Sequence, residues 1–304
     1  MKSTKKIDHE LTNKVDLSIL IISYNTKNLL DKCLRSIYQN LLISTFSSEI
    51  VIVDNGSTDG SVELINNKYP QVKIIQNSTN VGFGHANNQG INIAKGKTVL
   101  FLNSDIEVLD NAIDKLYRFF RTLPGKSGVG GKLFNPDLTP QPSCGPAYTL
   151  LHIFVALFLK GDYLNLTRYS PDIVEKVDWI MGACMLLPKD AFREVGGFDE
   201  GIFMYMEEID WQFRAKKLGY QMYFYPEANF IHKGAGSSQD RVTPILNVFR
   251  GFLFFYKKHF PGWRLKALRI ILILKSIIAI VLFTLLHKKT DKNMYIGALK
   301  LSVS

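Results

Sequence analysis

The chain has 304 residues, of which 46% are hydrophobic, so it can bury a core of its own and is not an intrinsically disordered protein. Its net charge of +10 is confined to one part: residues 241–304 hold 12 Lys and Arg and one acid, whereas residues 1–240 hold 25 basic and 26 acidic side chains. The basic residues flank long apolar runs. This pattern favours an anionic membrane surface as the partner rather than nucleic acid.

The first 120 residues alternate between predicted strands and predicted helices. The strands are 16–25, 49–55, 72–77 and 98–105, and the helices are 27–41, 59–69, 84–94 and 110–122. Apolar residues recur at helical spacing at Leu30, Leu34, Ile37 and Leu41, and again at Ile113, Leu116, Tyr117 and Phe120. Asp59 is a candidate N-cap. The alternation predicts an α/β fold with a mostly parallel sheet.

Polar clusters follow all four predicted strands. They are Ser23 to Asn25, Asp54 to Gly56, Asn77 to Asn80 and Asn103 to Asp105. Ligands of parallel α/β sheets bind at the carboxyl ends of the strands, where these clusters come together. The convergence predicts one ligand site at this edge of the sheet.

Single motifs at this edge leave alternatives open. The run VDNGSTDGS (53–61) is, taken alone, a capped strand-to-helix turn. The glycines of residues 80–90 let the backbone approach a ligand, but Asn87 stands where a dinucleotide fingerprint needs a third glycine, which argues against an oxidoreductase. Asp105 could bind a divalent cation that bridges two phosphates, or could simply cap its strand.

An acidic segment, GGFDEGIFMYMEEIDW (196–211), is a candidate source of a general base. It contains Asp199, Glu200, Glu207, Glu208 and Asp210. A buried carboxylate in such a cluster would have the raised pKa of a base, although acids also stabilise a helix N-terminus. His232, which follows an apolar strand, is either structural or a nitrogen ligand of a cation.

Beyond residue 124 the alternation stops. Residues 135–146 are predicted to be loop, and the apolar run 149–159 is too short to cross a bilayer. Residues 245–260 and 265–286 are apolar with basic edges, which predicts membrane association. Whether residues 270–286 span the membrane stays open, and a buried helical subdomain or an oligomer interface is the alternative.

Seven motifs in order resemble the family 2 glycosyltransferases with the A-type fold, in particular the bacterial rhamnosyltransferase-like group. They are IISYN (21–25), VDNGSTDGS (53–61), NVGFGHANN (80–88), FLNSD (101–105), VDWIMGACMLLPKDAFREVGGFDE (177–200), MYMEEIDW (204–211) and His232. The resemblance covers residues 16–240. It implies a nucleotide-diphospho-sugar transferase (GT-A) fold, an α/β architecture with a mostly parallel central sheet, followed by a C-terminal helical membrane-associating segment.

The resemblance divides the chain into three parts. A polar tail occupies residues 1–14. The catalytic domain, 15–240, has a nucleotide-binding half, 15–123, and an acceptor half, 124–240. The basic apolar segment is 241–304.

The resemblance also implies roles for residues on the donor side. Ser23, Asn25 and Asp54 would contact the base or ribose, and Gly84 and Asn88 would lie against the nucleotide. Asn103, Ser104 and Asp105 stand where the family has an acid–x–acid motif. Because Asn103 replaces the first acid, Asp105 would hold Mg²⁺ or Mn²⁺ from that motif, with His232 as the second ligand.

On the acceptor side, Glu208 stands where the family has a catalytic aspartate, and Glu207 and Asp210 are the alternatives. Asp178 and Trp179 would line the sugar or acceptor pocket. The base would deprotonate an acceptor hydroxyl, which attacks the anomeric carbon and inverts its configuration while the cation neutralises the leaving diphosphate.

The implied function is transfer of a sugar, with L-rhamnose as the candidate, from a dTDP- or UDP-linked donor. The acceptor would be a glycan or a polyprenyl-linked glycan of cell-surface polysaccharide synthesis. The expected location is the cytoplasmic face of the plasma membrane, with peripheral or monotopic attachment. A catalytically silent sugar-binding or scaffold protein and a nucleotidyltransferase are the alternatives, and the oligomeric state stays open.

Overall fold

The computed structural model describes residues 15–234 and 242–304, so the predicted tail 1–14 lies outside the described residues. The strands are β1 (Leu17–Ser23), β2 (Ser48–Asp54), β3 (Lys73–Gln76), β4 (Thr98–Asn103), β5 (Ile106–Val108), β6 (Ser127–Phe134), β7 (Pro140–Gln141), β8 (Cys144–Gly145), β9 (Glu175–Val177), β10 (Trp179–Ile180), β11 (Cys184–Pro188) and β12 (Gln221–His232). The helices are α1 (Lys27–Leu41), α2 (Ser61–Lys68), α3 (Phe83–Ile93), α4 (Ala112–Thr122), α5 (Leu150–Phe158), α6 (Ala191–Glu194), α7 (Glu207–Lys217), α8 (Val242–His259), α9 (Trp263–Leu285) and α10 (Lys289–Val303).

One sheet of ten strands organises the fold. Its main path runs β3-β2-β1-β4-β11-β6-β12-β5, with β7 and β9 attached to β6 and β12. The four predicted strands, β1 to β4, are parallel to one another, as the alternation predicts. The second half is mixed, because β11 runs antiparallel between β4 and β6 while β12 pairs parallel with β6. The central sheet therefore has a parallel nucleotide-side half and a mixed second half.

The register of the parallel strands places the predicted polar clusters at the same height along the sheet. Ser23 lies opposite Asp54 in the β1–β2 pair, and Ile22 lies opposite Asn103 in the β1–β4 pair. The strand ends therefore meet at one edge of the sheet, which is the geometric basis of the site described below.

Helices pack on both faces of the sheet, and the backbone conformation of the preceding turn sets the residue at which a helix begins. Leu30, Leu34 and Ile37 of α1 are fully buried, as their spacing predicts. Helix α4 begins at Ala112 rather than at residue 110, because Asp110 and the N-cap Asn111 adopt left-handed φ angles of 35° and 58°.

Asp59 binds the start of α2 as a capping residue would, but it lies one residue before the N-cap position. Gly60 occupies the N-cap position of α2. Oδ1 of Asp59 accepts a hydrogen bond from Ser61 N at 3.0 Å, and Oδ2 accepts one from Lys27 N at 2.8 Å. One carboxylate thus binds the first backbone NH group of both α1 and α2, which ties the turn after β1 to the turn after β2.

Residues 135–146, which the sequence predicts to be loop, contain the two short strands β7 and β8. The C-terminal helices α8, α9 and α10 share a hydrophobic cluster with Trp179, Met206 and Ile209. The packing thus crosses the predicted domain boundary at residue 240. Within the described residues, α9 is the one helix long and apolar enough to cross a membrane, and 22% of its most apolar window is buried.

Candidate active site

Hydroxyl groups join the ends of β1 and β4. The Ser23 and Thr26 hydroxyls lie 3.1 Å apart, and Thr26 Oγ1 donates to Ser104 Oγ at 3.0 Å. All three side chains are buried. Two of these residues, Ser23 and Ser104, are predicted site residues, and the structure gives them a bridging role between two strand ends.

The turn after β2 is held by Asp54 and Asn25. Asp54 is fully buried, and its Oδ1 accepts hydrogen bonds from Gly56 N at 3.1 Å and Ser57 N at 2.8 Å. Asn25, at a left-handed φ of 51°, accepts from Thr58 N through its Oδ1 at 2.8 Å. Asp54 Oδ2 is buried without a partner in the described part of the chain, so it remains available to a donor group of a ligand.

A chain of four carboxamides extends this turn towards α3. Asn55 Nδ2 donates to Asn80 Oδ1 at 3.2 Å, and Asn77 Nδ2 donates to Asn55 Oδ1 at 2.9 Å. Asn77 and Gln89 then exchange two hydrogen bonds of 2.9 and 3.0 Å. The predicted polar clusters after β2 and β3 are therefore one connected network, which fixes the glycine-rich segment before α3.

Gly84 and Asn88 of α3 contact the acidic segment. A Cβ atom on Gly84 would lie 3.2 Å from Phe198 Cβ and 3.6 Å from Glu207 Cβ, so glycine permits close packing there. The Asn88 amide accepts from Phe198 N at 2.9 Å and donates to Phe198 O at 2.9 Å. Both residues thus hold the segment that leads to Glu207, and their contact with a nucleotide stays a prediction.

The predicted metal ligands Asp105 and His232 lie together. Asp105 Oδ1 is 3.4 Å from His232 Nε2, and both residues are buried. Burial opposes ionisation of Asp105, but the His232 ring and backbone NH groups outweigh it, so the pKa of Asp105 is lower than usual. Asp105 is therefore a carboxylate at neutral pH.

Two amides contact the ring of His232. Asn103 Nδ2 lies 3.2 Å from Nε2, and Gln141 Oε1, which can only accept, lies 2.7 Å from Nδ1. Nδ1 therefore donates to Gln141, and Nε2 faces both the Asn103 amide and the Asp105 carboxylate. Gln141 was not predicted, because it comes from a proline-rich segment that carries no motif.

These residues fit a divalent cation. Asp105 supplies an oxygen and His232 a nitrogen, and Asn103 Oδ1 is buried without a partner among the described residues. The described ranges contain no group of three or more His, Cys, Asp or Glu side chains that could hold a metal. Asp105 and His232 would therefore form an incomplete site, which ligands such as phosphate oxygens and water would complete.

Glu207 and Glu208 follow a strained turn. Tyr205 and Met206 have left-handed φ angles of 67° and 78°, which costs about 1–3 kcal/mol per residue and is typical of functional sites. A Cβ atom on Gly182 would lie 3.6 Å from Glu208 Cβ and 3.5 Å from Phe83 Cε1. Glu208 therefore lies beside the glycine-rich segment of α3.

The electrostatics of the two glutamates suit a general base. Burial raises the pKa of Glu207, and the neighbouring Glu208 charge raises it further. Burial also raises the pKa of Glu208, although backbone NH groups and Arg168 oppose that effect. One carboxyl oxygen of each, Oε2, is buried without a partner in the described residues. Both groups therefore hold a proton more readily than an exposed carboxylate does.

Asp210 is fully buried, and it differs from the two glutamates because basic side chains surround it. Its Oδ1 lies 2.7 Å from His259 Nε2, and both its oxygens lie within 3.0 Å of Lys258 Nζ. Arg214 Nε donates to Oδ2 at 2.9 Å. Burial is outweighed by these partners, so the pKa of Asp210 is lower than usual. Asp210 is thus a weak base already bound within the protein.

Helix α8 also supports the strained turn directly. A Cβ atom on Gly251 would lie 2.7 Å from Met206 Cγ and 2.8 Å from Tyr205 O, so α8 passes against the turn. Lys258 Nζ also binds Asp199 at 2.6 Å. The sequence motifs did not indicate these contacts, since Lys258 and His259 follow an aromatic run that also suits a membrane interface.

Asp178 and Trp179 are neighbours in the chain, but they lie in different surroundings. Asp178 accepts from Ala147 N at 2.8 Å, pairs with Lys216, and lines a cavity of about 420 Å³. Trp179 is buried, donates from Nε1 to Pro146 O at 2.9 Å, and stacks on Tyr148 with ring centres 5.6 Å apart. Their predicted role in an acceptor pocket stays a prediction.

Residues 18–136 match Glycosyl transferase family 2. The chain is a glycosyltransferase. It is 27% identical over 270 residues to the N-acetylglucosaminyl-diphospho-decaprenol L-rhamnosyltransferase of Mycobacterium tuberculosis, covering 82% of this chain and 86% of that protein. It is also 27% identical to the Escherichia coli rhamnosyltransferase WbbL, covering 70% of this chain and 82% of WbbL. The predicted rhamnosyltransferase-like resemblance is confirmed.

The fold agrees with this assignment. The glycosyltransferase superposes on the mannosyltransferase PcManGT of Pyrobaculum calidifontis, solved with GDP-mannose and Mn²⁺, with a TM-score of 0.57 at 14% identity. The superposition covers 96% of this chain and 87% of that protein. The A-type glycosyltransferase fold that the motifs imply is therefore confirmed.

Proposed function

We propose that this glycosyltransferase transfers L-rhamnose from a dTDP-linked donor to a sugar carried on a polyprenyl diphosphate, with inversion at the anomeric carbon. The observation that carries the proposal is the placement of Asp105 and the two glutamates at one edge of the sheet. The residue pair Gly182–Ala183 connects them, because Ala183 O accepts from Asn103 N at 3.1 Å and Gly182 lies against Glu208.

The proposed donor and acceptor come from the relatives. Two of them are rhamnosyltransferases, and the mycobacterial one is named for N-acetylglucosaminyl-diphospho-decaprenol. Each is similar along more than two thirds of this chain, beyond the part that matches the family. The proposal therefore includes the acceptor half as well as the nucleotide-binding half.

The donor would bind across the strand ends. The free Oδ2 of Asp54 suits a donor group of the base or ribose, with Asn25 and Ser23 holding the adjoining turns. Asp105 and His232 would hold a divalent cation, which would supply positive charge at the leaving diphosphate. To bind the cation, His232 would use a neutral ring with Nε2 free of hydrogen, while Nδ1 keeps its contact with Gln141 Oε1.

Glu208 would act as the base that accepts the proton of the acceptor hydroxyl. Its raised pKa makes it a stronger base than an exposed carboxylate, and the residue is partly exposed. Glu207 is more deeply buried, and Asp210 already binds Arg214, Lys258 and His259. Attack by the deprotonated hydroxyl opposite the leaving group inverts the configuration in a single displacement.

Attachment to a membrane would bring the enzyme to such an acceptor. Exposed apolar side chains of α9, among them Ile270, Ile277 and Val281, face outward next to the basic residues of the C-terminal segment. Trp263 at the start of α9 is 69% exposed, as is typical of side chains at a lipid interface. We propose peripheral or monotopic attachment at the cytoplasmic face, where nucleotide sugars are available.

The test is rhamnose transfer by the purified full-length protein. dTDP-L-rhamnose, UDP-glucose and UDP-N-acetylglucosamine are each supplied with a synthetic N-acetylglucosaminyl-diphospho-lipid, with and without Mn²⁺ or Mg²⁺. We expect product only from dTDP-L-rhamnose with a cation, and NMR should show the inverted configuration. Thermal shifts with each donor give an independent measure of binding. Binding without transfer would favour a silent sugar-binding protein, and product from a UDP sugar would refute the donor assignment.

A further inference from the structure

Arg168 lies in the segment between α5 and β9 and is held against an aromatic ring. Its guanidinium carbon is 5.7 Å from the centre of the Trp179 ring. Its Nη2 donates to Pro142 O at 3.2 Å. The backbone beside it is also fixed, because Tyr169 N donates to Cys144 O at 2.9 Å. The guanidinium is therefore placed by the fold rather than free at the surface.

The charge of Arg168 is not matched by the protein. No carboxylate lies within 4.0 Å of it in the described part of the chain, and its Nε is buried there without a hydrogen-bond partner. An arginine that is fixed, partly buried and unpaired is suited to bind an anion from outside the protein. Its charge is also felt at the active site, since it opposes the rise in the pKa of Glu208.

The segment that carries Arg168 is apolar at its exposed side. Tyr163, Leu164 and Leu166 are 86%, 62% and 53% exposed. The segment follows α5, which adjoins α9 through a hydrogen bond of 2.7 Å from Lys275 Nζ to Leu157 O. Leu166 is two residues from Arg168, a span of at most about 7 Å. An apolar surface and a fixed cation thus lie in one segment next to α5 and α9, and the charge of that cation acts on Glu208.

We propose that Arg168 binds the diphosphate of a polyprenyl-linked acceptor. This inference rests on the proposed function and adds to it a binding residue outside the family motifs. The lipid would lie along Leu164 and Leu166, the diphosphate would accept hydrogen bonds from the guanidinium, and the attached sugar would extend to Glu208. An arginine fork matches two phosphate oxygens, so it selects a diphosphate over a neutral glycoside.

The experiment compares two water-soluble probes on the full-length protein. One is N-acetylglucosaminyl diphosphate linked to a ten-carbon prenyl chain, and the other is octyl N-acetylglucosaminide, which lacks phosphate. Affinity is measured by calorimetry without divalent cation, and KM is measured with dTDP-L-rhamnose. We expect Arg168→Gln to weaken binding of the diphosphate probe about tenfold or more and to leave the neutral probe and donor affinity unchanged.

Arg264→Gln is the matched control, because Arg264 also lies over a tryptophan, 5.6 Å from the centre of Trp263, and is exposed on α9. It should leave the affinity for both probes unchanged. Arg168→Lys keeps the charge but loses the fork, so it should give an intermediate loss, and it replaces Arg168→Gln if that variant does not fold.

The inference is overturned if Arg168→Gln and Arg168→Lys both bind the diphosphate probe like the wild type, or if they weaken both probes equally. Arg168-dependent binding without rhamnose transfer would support the inference and count against the proposed function. Rhamnose transfer that does not depend on Arg168 would support the proposed function and count against the inference.

Discussion

The two halves of the active site are held together in different ways. On the donor side, Asp54 accepts hydrogen bonds from Gly56 and Ser57, and Asn25 accepts one from Thr58. All of these residues lie in the turns after β1 and β2, within about 35 positions of one another in the chain. On the acceptor side, Asp210 is fixed by Lys258 and His259, almost 50 positions further along the chain. Short motifs can therefore encode the turns of the proposed donor site, whereas the surroundings of the acidic cluster depend on a helix that lies outside the family motifs.

The largest effect is expected at the base itself. Glu208→Gln should lower kcat about a thousandfold and leave donor affinity unchanged, because a base acts in the transition state. Steady-state kinetics and donor calorimetry measure the two effects. Glu200→Gln, in the same acidic segment, is the control, since Glu200 is half exposed and pairs with His85. A greater loss of kcat in Glu207→Gln than in Glu208→Gln would assign the role of the base to Glu207.

On the donor side, Asp105→Ala should weaken cation-dependent donor binding about a hundredfold without unfolding the protein. The Asp105 carboxylate, at the end of β4 beside His232, would be the oxygen ligand of the cation that holds the diphosphate. Calorimetry with dTDP-L-rhamnose, with and without Mn²⁺, measures the loss. Asp190→Ala, which removes an exposed acid, is the control. Unchanged cation-dependent binding in a folded Asp105→Ala protein would refute the ligand assignment.

Asp210 should affect the acceptor side through the stability of the folded protein. Asp210→Asn leaves the cationic side chains Arg214 and Lys258 around a neutral amide, so it should lower the free energy of unfolding by about 3 kcal/mol at pH 7. Because the folded pKa of Asp210 is lowered, its stabilisation is complete above the unfolded pKa, near 4, and is lost as the pH falls further.

Urea unfolding at pH 7 and at pH 3 measures this difference, which should shrink at the lower pH. The exposed pair Asp190–Arg193 supplies a control, because Asp190→Asn should cost less than about 0.5 kcal/mol. Equal stabilities of Asp210→Asn and the wild type at pH 7 would show that α8 does not depend on this network.

The contribution of Glu207 to stability should have the opposite pH dependence to that of Asp210. Its folded pKa is raised, so its contribution to stability is greatest below the unfolded pKa and is lost as the pH rises through the folded pKa. Glu207→Gln should therefore stabilise the metal-free protein by about 0.5–2 kcal/mol at pH 8 and by nothing below about pH 4. Thermal unfolding across this range tests the prediction, and a variant less stable than the wild type at pH 8 would contradict it.

The smallest effect on the folded protein is expected on the outer face of α9. Ile277 and Val281 are about half exposed, so changing both to Glu should leave the melting temperature within a few degrees and reduce flotation with anionic liposomes several-fold. Leu42→Glu, at a residue 83% exposed in the first half of the chain, is the control. Salt should weaken wild-type binding only in part, because it screens the basic residues and not the apolar face. Full flotation of the double variant would leave α9 as a packing surface.

Removal of residues 241–304 is not a clean test of the membrane hypothesis. The sequence alone suggests that the donor site could persist without this segment, since the family motifs end at His232. The structure shows that α8 supplies Lys258 and His259 to the buried Asp210 and packs on the Tyr205–Met206 turn. The truncation would remove these contacts, so its loss of activity would have two causes.

The parallel half of the fold, and the edge at which its polar clusters meet, could be predicted from the sequence alone. Apolar runs of strand length alternate with helical spacing such as that of Leu30 and Leu34, and turn residues such as Asp54 and Gly56 mark each strand end. These signals are local, because the period of a strand or a helix and the chemistry of a turn are set by neighbouring residues. The family motifs added the pairing of Asp105 with His232.

Which acid of the 207–210 cluster is bound by basic side chains, and which two keep an oxygen without a partner among the described residues, follows from the tertiary structure and not from the sequence. Adjacent acids look alike in a sequence, and their pKa values differ because Asp210 meets Lys258 and His259 whereas Glu207 meets Glu208. The roles of Gln141 and Arg168 also come from contacts between distant segments, which leave no periodic pattern. A buried charge is governed by whatever group the fold brings beside it, and that group need not be near in the chain.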